Sequence, residues 1–502
     1  MTNIVGIDLG TTFSVIAKLD DTGRPEVLDV DGNNITPSVV EFTSSNSFSV
    51  GLEAKKSLEW GDENIAQEVK RHMGSKEKTY EFFEQQHSPT SISALILKKL
   101  KESTESKYGP IDSAVVTVPA NFANEAREAT QTAAEMAGLE VTHIINEPTA
   151  AALAYAFQSG KELSGTFAIY DLGGGTFDCT IAKISGQDID ILTSEGVSKL
   201  GGKDFDEIIH QIVSDKYKAE TGNDLSKEDF GPNKAEETKI TLSTKEKANL
   251  KIAGEVLSIT REEFETASSN LIIQTEMAID IALDRIDAKH SDISEVILVG
   301  GSTRMPCVLA SIKKQFGKDA QLFGNPDQSV ALGAAIYAAY KSDSKDLNPL
   351  QQQSISKLSL IEAAPHFFGT IVMAEDASGR MSPENSIIIP KDENIPCSIT
   401  ESYYTMSDNQ TTVKCTVTQS SIDMKDPQFV TTLWEGDLEI EGGRPAGQEL
   451  KFTYSFTEGG KMRASFLDVG SGNTEELDLV VGVGEKKESS TNDIDIDQFK
   501  VE

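Results

Sequence analysis

The chain has 502 residues, 38% hydrophobic and 25% charged, with a formal net charge of −34. That length is too great for one core and implies about two to four domains. The excess of acid excludes nucleic acid and anionic membrane as partners, because both would repel it, and no apolar run approaches the ~20 residues of a membrane span.

In chain order, the N-terminus enters a strand directly, with no basic region and no cleavable signal, so the cytoplasm is the expected compartment. The stretch Ile4-Val5-Gly6-Ile7-Asp8-Leu9-Gly10-Thr11-Thr12-Phe13 is an apolar strand closed by Asp, Leu, Gly and Thr. Short β-runs continue to residue 50, with turns at Asp21-Thr22-Gly23 and Asp31-Gly32-Asn33. A helical pattern from Ala54 to Gly74 carries Lys70 and Arg71, and helical spacing returns from Ser91 to Tyr108. Ala114–Val118 is a buried strand ended by Pro119. Asn121 to Gly138 is an Ala-rich helix whose glycine fits a C-cap. Asn146-Glu147-Pro148-Thr149 is a turn, and the helix after it starts just beyond Pro148.

Phe167 to Asp178 repeats the order of the first strand: an apolar run, Asp171, Leu172, then Gly173-Gly174-Gly175-Thr176. Three consecutive glycines cannot hold a strand, so the backbone turns there. Its bare N–H groups can close on an anion such as a phosphate. Asp171 is a hard anion suited to the hydrated Mg2+ that a phosphate brings. Alone, the stretch fits a glycine-rich hairpin with a capping Asp equally well. Its recurrence points to two related halves, each offering a loop with one Asp, as jaws around a polyphosphate. A third glycine turn, Gly300-Gly301-Ser302-Thr303-Arg304, follows the strand Val296–Val299 and is placed to receive the nucleoside end.

Gly201-Gly202-Lys203-Asp204 opens a helix, residues 234–244 and 262–286 are charged helices, and Asn325-Pro326-Asp327 opens a small-residue helix through Tyr340. Alternating strands and helices over residues 1–341 indicate a two-lobed α/β domain. Residues 342–363 form a linker, polar at first and then apolar at Leu358-Ser359-Leu360-Ile361. Residues 364–484 carry short β-runs such as Ser386–Ile389, Thr412–Val417 and Leu450–Phe456 between Gly/Asp/Asn-rich turns, the pattern of an all-β sandwich. Residues 485–502, charged and rich in Ser and Asp, are expected to be a disordered acidic tail. The four cysteines show no pairing or metal-like spacing and read as buried thiols; the six histidines do not cluster.

The ordered set of the Asp8 loop, Lys70, Pro119, Asn146-Glu147-Pro148-Thr149-Ala150-Ala151-Ala152, the Asp171 loop, Leu200-Gly201-Gly202, Gly300–Pro306 and Asn325-Pro326-Asp327 resembles the seventy-kilodalton heat-shock chaperone family of the DnaK type. The resemblance is close over the first ~340 residues and looser beyond. It implies an actin-like ATPase of two lobes joined to a β-sandwich that binds unfolded or extended apolar peptide. The implied cofactors are ATP or ADP and Mg2+, with K+ as a candidate second cation. The implied partners are a J-domain co-chaperone and a nucleotide exchange factor. Asp8 and Asp171 would hold waters of Mg2+. Gly10, Thr11, Thr12 and Phe13 would face the phosphates, with Gly173, Gly174, Gly175 and Thr176 opposite. Lys70 would position the attacking water, and Glu147 and Asp178 would order water and cations. Gly201, Gly202, Glu236, Lys239, Ser243, Gly300, Gly301, Ser302, Arg304 and Asp327 would complete the nucleotide pocket. Met373, Tyr403, Met406 and Val413 would line the peptide cleft. Blander roles compete with these: a surface charge pair for Lys70 beside Arg71, a helix-surface pair for Glu236 and Lys239, and sandwich core for the four peptide-cleft residues.

The sequence departs from the family pattern in four places. The segment between Gly74 and Ser91 is short, so one lobe is expected to be trimmed. Little sequence follows the β domain, so no long helical lid is expected and bound peptide should exchange quickly. Ser359 stands in the linker where the family prefers Leu, at an expected cost on the order of 1–2 kcal/mol in docking. His143 stands where Arg usually helps receive the J-domain partner. Two other functions fit parts of the pattern: an ATP-binding regulator that holds one partner without a refolding cycle, and a small-molecule kinase of the actin-like superfamily. The β domain and apolar linker argue against the kinase.

Overall fold

The computed structural model describes residues 3–59, 62–159, 163–226, 228–322, 324–375, 379–457, 462–479, 496 and 499–501. The chain divides into two compact units, Met1–Leu360 with Glu488–Glu502, and Ile361–Lys487.

The first unit is built on two sheets that repeat one design. In the first, Ile4–Leu9 pairs antiparallel with Phe13–Leu19 and parallel with Ser113–Val118. In the second, Ser164–Leu172 pairs antiparallel with Phe177–Ser185 and parallel with Ile293–Val299. Each hairpin therefore ends in an acidic turn at the carboxyl end of its first strand, flanked by a parallel neighbour. Such strand ends are where ligands of α/β folds bind. The strands are apolar on both faces because helices cover the sheets. Ile7, Leu97 and Val116 lie in one buried core, and Leu172, Phe177 and Phe205 in another. The helix Ser329–Lys341 crosses the first sheet so closely that a side chain at Gly6 would overlap the backbone of Ala335. Small residues in this helix and in Glu147–Gln158 permit that approach.

Several expected elements take other forms. The pattern over Ala54–Gly74 is a helix only at Leu52–Glu59; Lys70 lies on the 3-10 turn Val69–His72. Glu68 enters that turn in the left-handed region, at φ 58°, which an α-helix cannot continue through. The charged helix over 262–286 is two, Arg261–Ala267 and Ser269–Arg285. They break at Ser268, whose hydroxyl donates back to the carbonyl of Phe264. Glu147 is the first residue of its helix, not part of a preceding turn, with Pro148 behind it. The polar start of the linker is a short helix, Pro349–Ile355. Asn348 caps it, and Gln351 donates to the carbonyls of Leu19 and Asp20 at 3.2 and 3.1 Å. Leu358 is buried while Ser359 is exposed.

The expected disordered tail is ordered in part. Ile496 and Phe499 are buried in the first core, and Lys500–Val501 pairs with Ser47–Val50. The apolar residues Ile496 and Phe499 outweigh the acidic composition that suggested disorder. Residues 485–495, 497, 498 and 502 lie outside the described residues.

The second unit has two four-stranded sheets. One holds Met381–Ile389, Phe367–Glu375, Thr412–Ser420 and Thr431–Glu439, and the other Cys397–Tyr404, Glu449–Phe456, Met462–Asp468 and Thr474–Leu479. Phe368, Tyr454 and Phe466 share the core between their inner faces, as alternation along sandwich strands requires. Phe367–Glu375 and Cys397–Tyr404 are strands additional to the sequence-derived set.

Candidate functional site

The two acidic hairpin turns of the first unit meet across a cleft. A Cβ on Gly174 would overlap the Thr12 hydroxyl, and one on Gly175 would stand 2.7 Å from the Thr11 hydroxyl. Only glycine lets the turns approach so closely. The cleft encloses about 500 Å³, enough for a nucleotide-sized ligand.

Asp8 sits at the end of the first strand, where Thr117 donates to its Oδ1 at 3.2 Å. Burial, with the Glu147 carboxylate nearby, pushes the Asp8 pKa up to about 7. Asp171 is 5% exposed, and its Oδ2 has no hydrogen-bond partner. Burial, then the charges of Glu147, Asp178 and Asp8, holds its carboxyl well above the usual range. Asp178, buried behind it, is raised for the same first reason. Lys70 is 6% exposed and forms an ion pair with Glu147. The Lys70 ammonium, with the Arg127 guanidinium acting on Asp178, faces four carboxylates, and the imbalance calls for further positive charge.

The fit of Mg2+ can be judged from these groups. They are hard oxygen donors, one oxygen is buried and unpartnered, and Asp8 and Asp171 end neighbouring turns. Among the described residues no three His, Cys, Asp or Glu side chains form a direct ligand cluster. The residues fit a hard, hydrated cation such as Mg2+.

The Asp171 turn is braced through its backbone carbonyls. Gly202 and Lys203 donate their N–H groups to the carbonyls of Gly173 and Gly174, both at 2.9 Å. Ser302 donates to the Gly173 carbonyl at 3.0 Å. Arg71 donates to the Gly175 carbonyl at 3.2 Å and pairs with Asp204. With its carbonyls occupied this way, the turn is fixed before any ligand arrives.

At the far end of the cleft Gly300 adopts φ 81°, with its Cβ direction blocked by the Leu172 carbonyl. Arg304 pairs with Asp327 at 2.9 Å and reaches Asn325 at 3.0 Å. Along the side wall, Lys55 pairs with Glu236 at 2.9 Å and Lys239 with Asp206 at 2.8 Å. The same Lys239 donates to the Gly202 carbonyl at 2.9 Å. Glu236 and Lys239 are thus cleft-wall groups with separate partners rather than a surface pair. Ser243 lines the cleft while donating to the Lys239 carbonyl at 3.0 Å.

Of the residues expected at this site, Asp8, Gly10, Thr11, Thr12, Phe13, Lys70, Glu147, Asp171, Gly173, Gly174, Thr176, Gly202, Glu236, Lys239, Ser243, Gly300, Gly301, Ser302, Arg304 and Asp327 line one cavity. Gly175 and Gly201 stand just behind it. The wall also holds Lys55, Lys203, Asp206 and Ile240. Asp206 was within sight of the sequence, three residues beyond Lys203 on the face of a helix opened by two glycines. Lys55 gives no local signal, since its partner is 181 residues away.

The proposed peptide-cleft residues divide. Met373 and Met406 are exposed, at 44% and 53%. Tyr403 and Val413 pack against the sandwich core. Tyr403 tilts on Phe452 at 4.9 Å and donates to the Ser386 hydroxyl at 2.9 Å. His143 in the first unit stacks edge-on against Tyr337 at 5.8 Å.

Two hairpin turns clasping a phosphate-sized gap between duplicated sheets, joined in one chain to a β-sandwich, define a two-lobed actin-like ATPase with an added binding domain. Comparison with known proteins narrows this class. The model of the Hsp70 protein family matches residues 4–85 and 77–451. The chain is similar to the chaperone protein DnaK of Thermotoga neapolitana and of Thermotoga maritima, each 36% identical over 495 residues, covering 94% of this chain and 80% of the relative. It is also similar to the chaperone protein DnaK of Thermosipho africanus, 34% identical over 519 residues, covering 99% of this chain and 83% of that one. The chain belongs to the Hsp70 family. Its function is that of an ATP-dependent molecular chaperone, and it is an ATP hydrolase. The two matched segments overlap at residues 77–85, within the stretch between Gly74 and Ser91.

Proposed function

We propose that the chain binds ATP with its triphosphate between the Asp8 and Asp171 turns, and that hydrolysis there sets the affinity of the β unit for extended apolar polypeptide. The observation that carries this reading is the close facing of Gly174 and Gly175 with Thr12 and Thr11, next to buried, undercompensated carboxylates.

Phosphoryl transfer to water needs position and charge rather than a covalent intermediate. Asp8 and Asp171 would hold Mg2+, which would supply positive charge against the phosphates. The backbone N–H groups of the two turns cradle the phosphates. Glu147 holds the Lys70 ammonium in the cleft, so that Lys70 orients an attacking water and meets charge developing on the γ-phosphate. Thr176 and Asp178 keep the water site polar. Glu236, Lys239, Ser243, Gly301, Ser302, Arg304 and Asp327 receive the nucleoside. K+ is a second cation suited to the same acidic cluster.

Peptide binds the β unit as an added strand, with exposed Met373 and Met406 giving adaptable apolar contact. Tyr403 and Val413 support that surface from the core side. A J-domain protein and a nucleotide exchange factor would act on the cycle, and His143 changes the charge offered to the former. The cytoplasm suits such a cycle.

The experiment is peptide affinity measured twice on one preparation. A fluorescent extended apolar peptide should bind more weakly with ATP than with ADP. Equal affinity in both would sink the coupling.

A further inference from the structure

Ser47–Val50 would be an exposed edge strand of the sheet it forms with Val40–Ser44 and Ile65–Ala66. An apolar free edge is a liability that proteins cover. Here Lys500–Val501 runs parallel along it, with Lys500 opposite Ser47 and Val501 opposite Phe48. Phe499 is 2% exposed. Its ring lies 6.2 Å from Phe42, 6.4 Å from Phe48 and 5.8 Å from His87, edge-on to each. Such geometry is favoured between aromatic rings. Ile496 is buried in the same core, and Phe499 donates its N–H to the Ile496 carbonyl at 3.1 Å. Lys98, from the helix Pro89–Tyr108, donates to the carbonyls of Ile496 at 3.0 Å and Phe499 at 3.2 Å.

The socket has three independent parts: an unpaired strand edge, an aromatic pocket and a lysine that reads backbone carbonyls. Part of the pocket comes from the hairpin of Tyr80–Phe82 and Gln85–His87. Phe82 stacks on Phe42 at 4.6 Å, which places the second aromatic layer under Phe499. Burial pushes the His87 pKa down to about 4, so the ring stays neutral near pH 7 and suits an apolar pocket.

We propose that this groove is a peptide-docking site on the first unit, distinct from the β unit's cleft, and that its ligand is the chain's own Ile496–Val501. Recognition is strand addition anchored by one buried aromatic side chain. Residues 480–495 join this ligand to the strand Thr474–Leu479, and a chain of that length can span roughly 55 Å. The docked segment anchors the far end of the chain on the first unit.

The test is amide hydrogen exchange on the full chain, read at Ser47–Val50. Phe499→Ala should speed exchange there by at least about tenfold, while the Phe167–Asp178 hairpin stays unchanged. Lys98→Met, which keeps the apolar stem but removes the donor, should act in the same direction. A peptide of residues 493–502 added to Phe499→Ala should restore protection. Unchanged exchange in both variants, or no restoration by peptide, would overturn the proposal. Protection that rises with protein concentration, together with a doubled mass in sedimentation, would assign the ligand to a second copy and overturn docking within one chain.

Discussion

Two buried aspartates show how differently the two units treat charge. Asp468, in the β unit, is 0% exposed and fully served. It accepts from both terminal nitrogens of Arg444, from the Ser471 hydroxyl at 2.6 Å and from the Gly470 N–H at 3.1 Å. The Arg444 guanidinium is the main cause that holds its pKa down at about 2. Asp171, in the cleft, is almost as buried and has an oxygen with no partner; its pKa is raised. A buried carboxylate with its donors supplied serves the fold, and one left without them is held ready for a ligand. The cleft thus keeps an electrostatic deficit that a magnesium-bearing triphosphate removes.

The largest expected effect breaks the cleft's side of this contrast. Lys70→Ala should slow single-turnover ATP hydrolysis by about a hundredfold to a thousandfold, with nucleotide still bound. An equally slow wild type would remove Lys70 from catalysis. Next, Gly174→Val forces a branched side chain against Thr12, so ATP affinity measured by calorimetry should fall by about tenfold to a hundredfold. The melting of the β unit should not move.

Asp468→Asn attacks the other side. It leaves Arg444 without its charge partner and should lower β-unit stability by roughly 2–4 kcal/mol in denaturant titration, with hydrolysis in the first unit unaltered. Acid provides the mildest version. Because the folded pKa of Asp468 lies below its ordinary 3.8, its contribution is complete above pH 3.8 and is lost as pH falls toward 2. The β unit should lose stability over that window, and Asp468→Asn should show a smaller loss. Parallel acid profiles for wild type and variant would show that the pair contributes nothing.

Much of the site was legible in the sequence because its chemistry is local. Each acidic turn is a contiguous run, and the recurrence of Asp-Leu-Gly at Asp8 and Asp171 reported a duplicated hairpin that the two sheets display. Lys70 was legible only through its neighbours in the family pattern. Its own surroundings suggested a helix, whereas left-handed Glu68 sets up a 3-10 turn that delivers it to Glu147. Lys55 was hidden, since its partner Glu236 lies 181 residues away and such a pair leaves no periodic trace. In the β unit, alternation marked the strands but could not say which face was core, so Tyr403 and Val413 went with Met373 and Met406. The segment 496–501 was masked by its acidic neighbours. Average composition carried no sign that Phe499 would meet three aromatic rings.

Thermal unfolding of Asp171→Asn beside wild type, each with and without Mg-ATP, tests the central claim most directly. Removing an uncompensated buried charge should leave the nucleotide-free variant as stable as wild type or more so, while Mg-ATP raises the midpoint of wild type far more than that of the variant. A nucleotide-free variant that melts well below wild type, or an equal rise in both with Mg-ATP, would contradict an acidic turn held open for a metal-bearing phosphate.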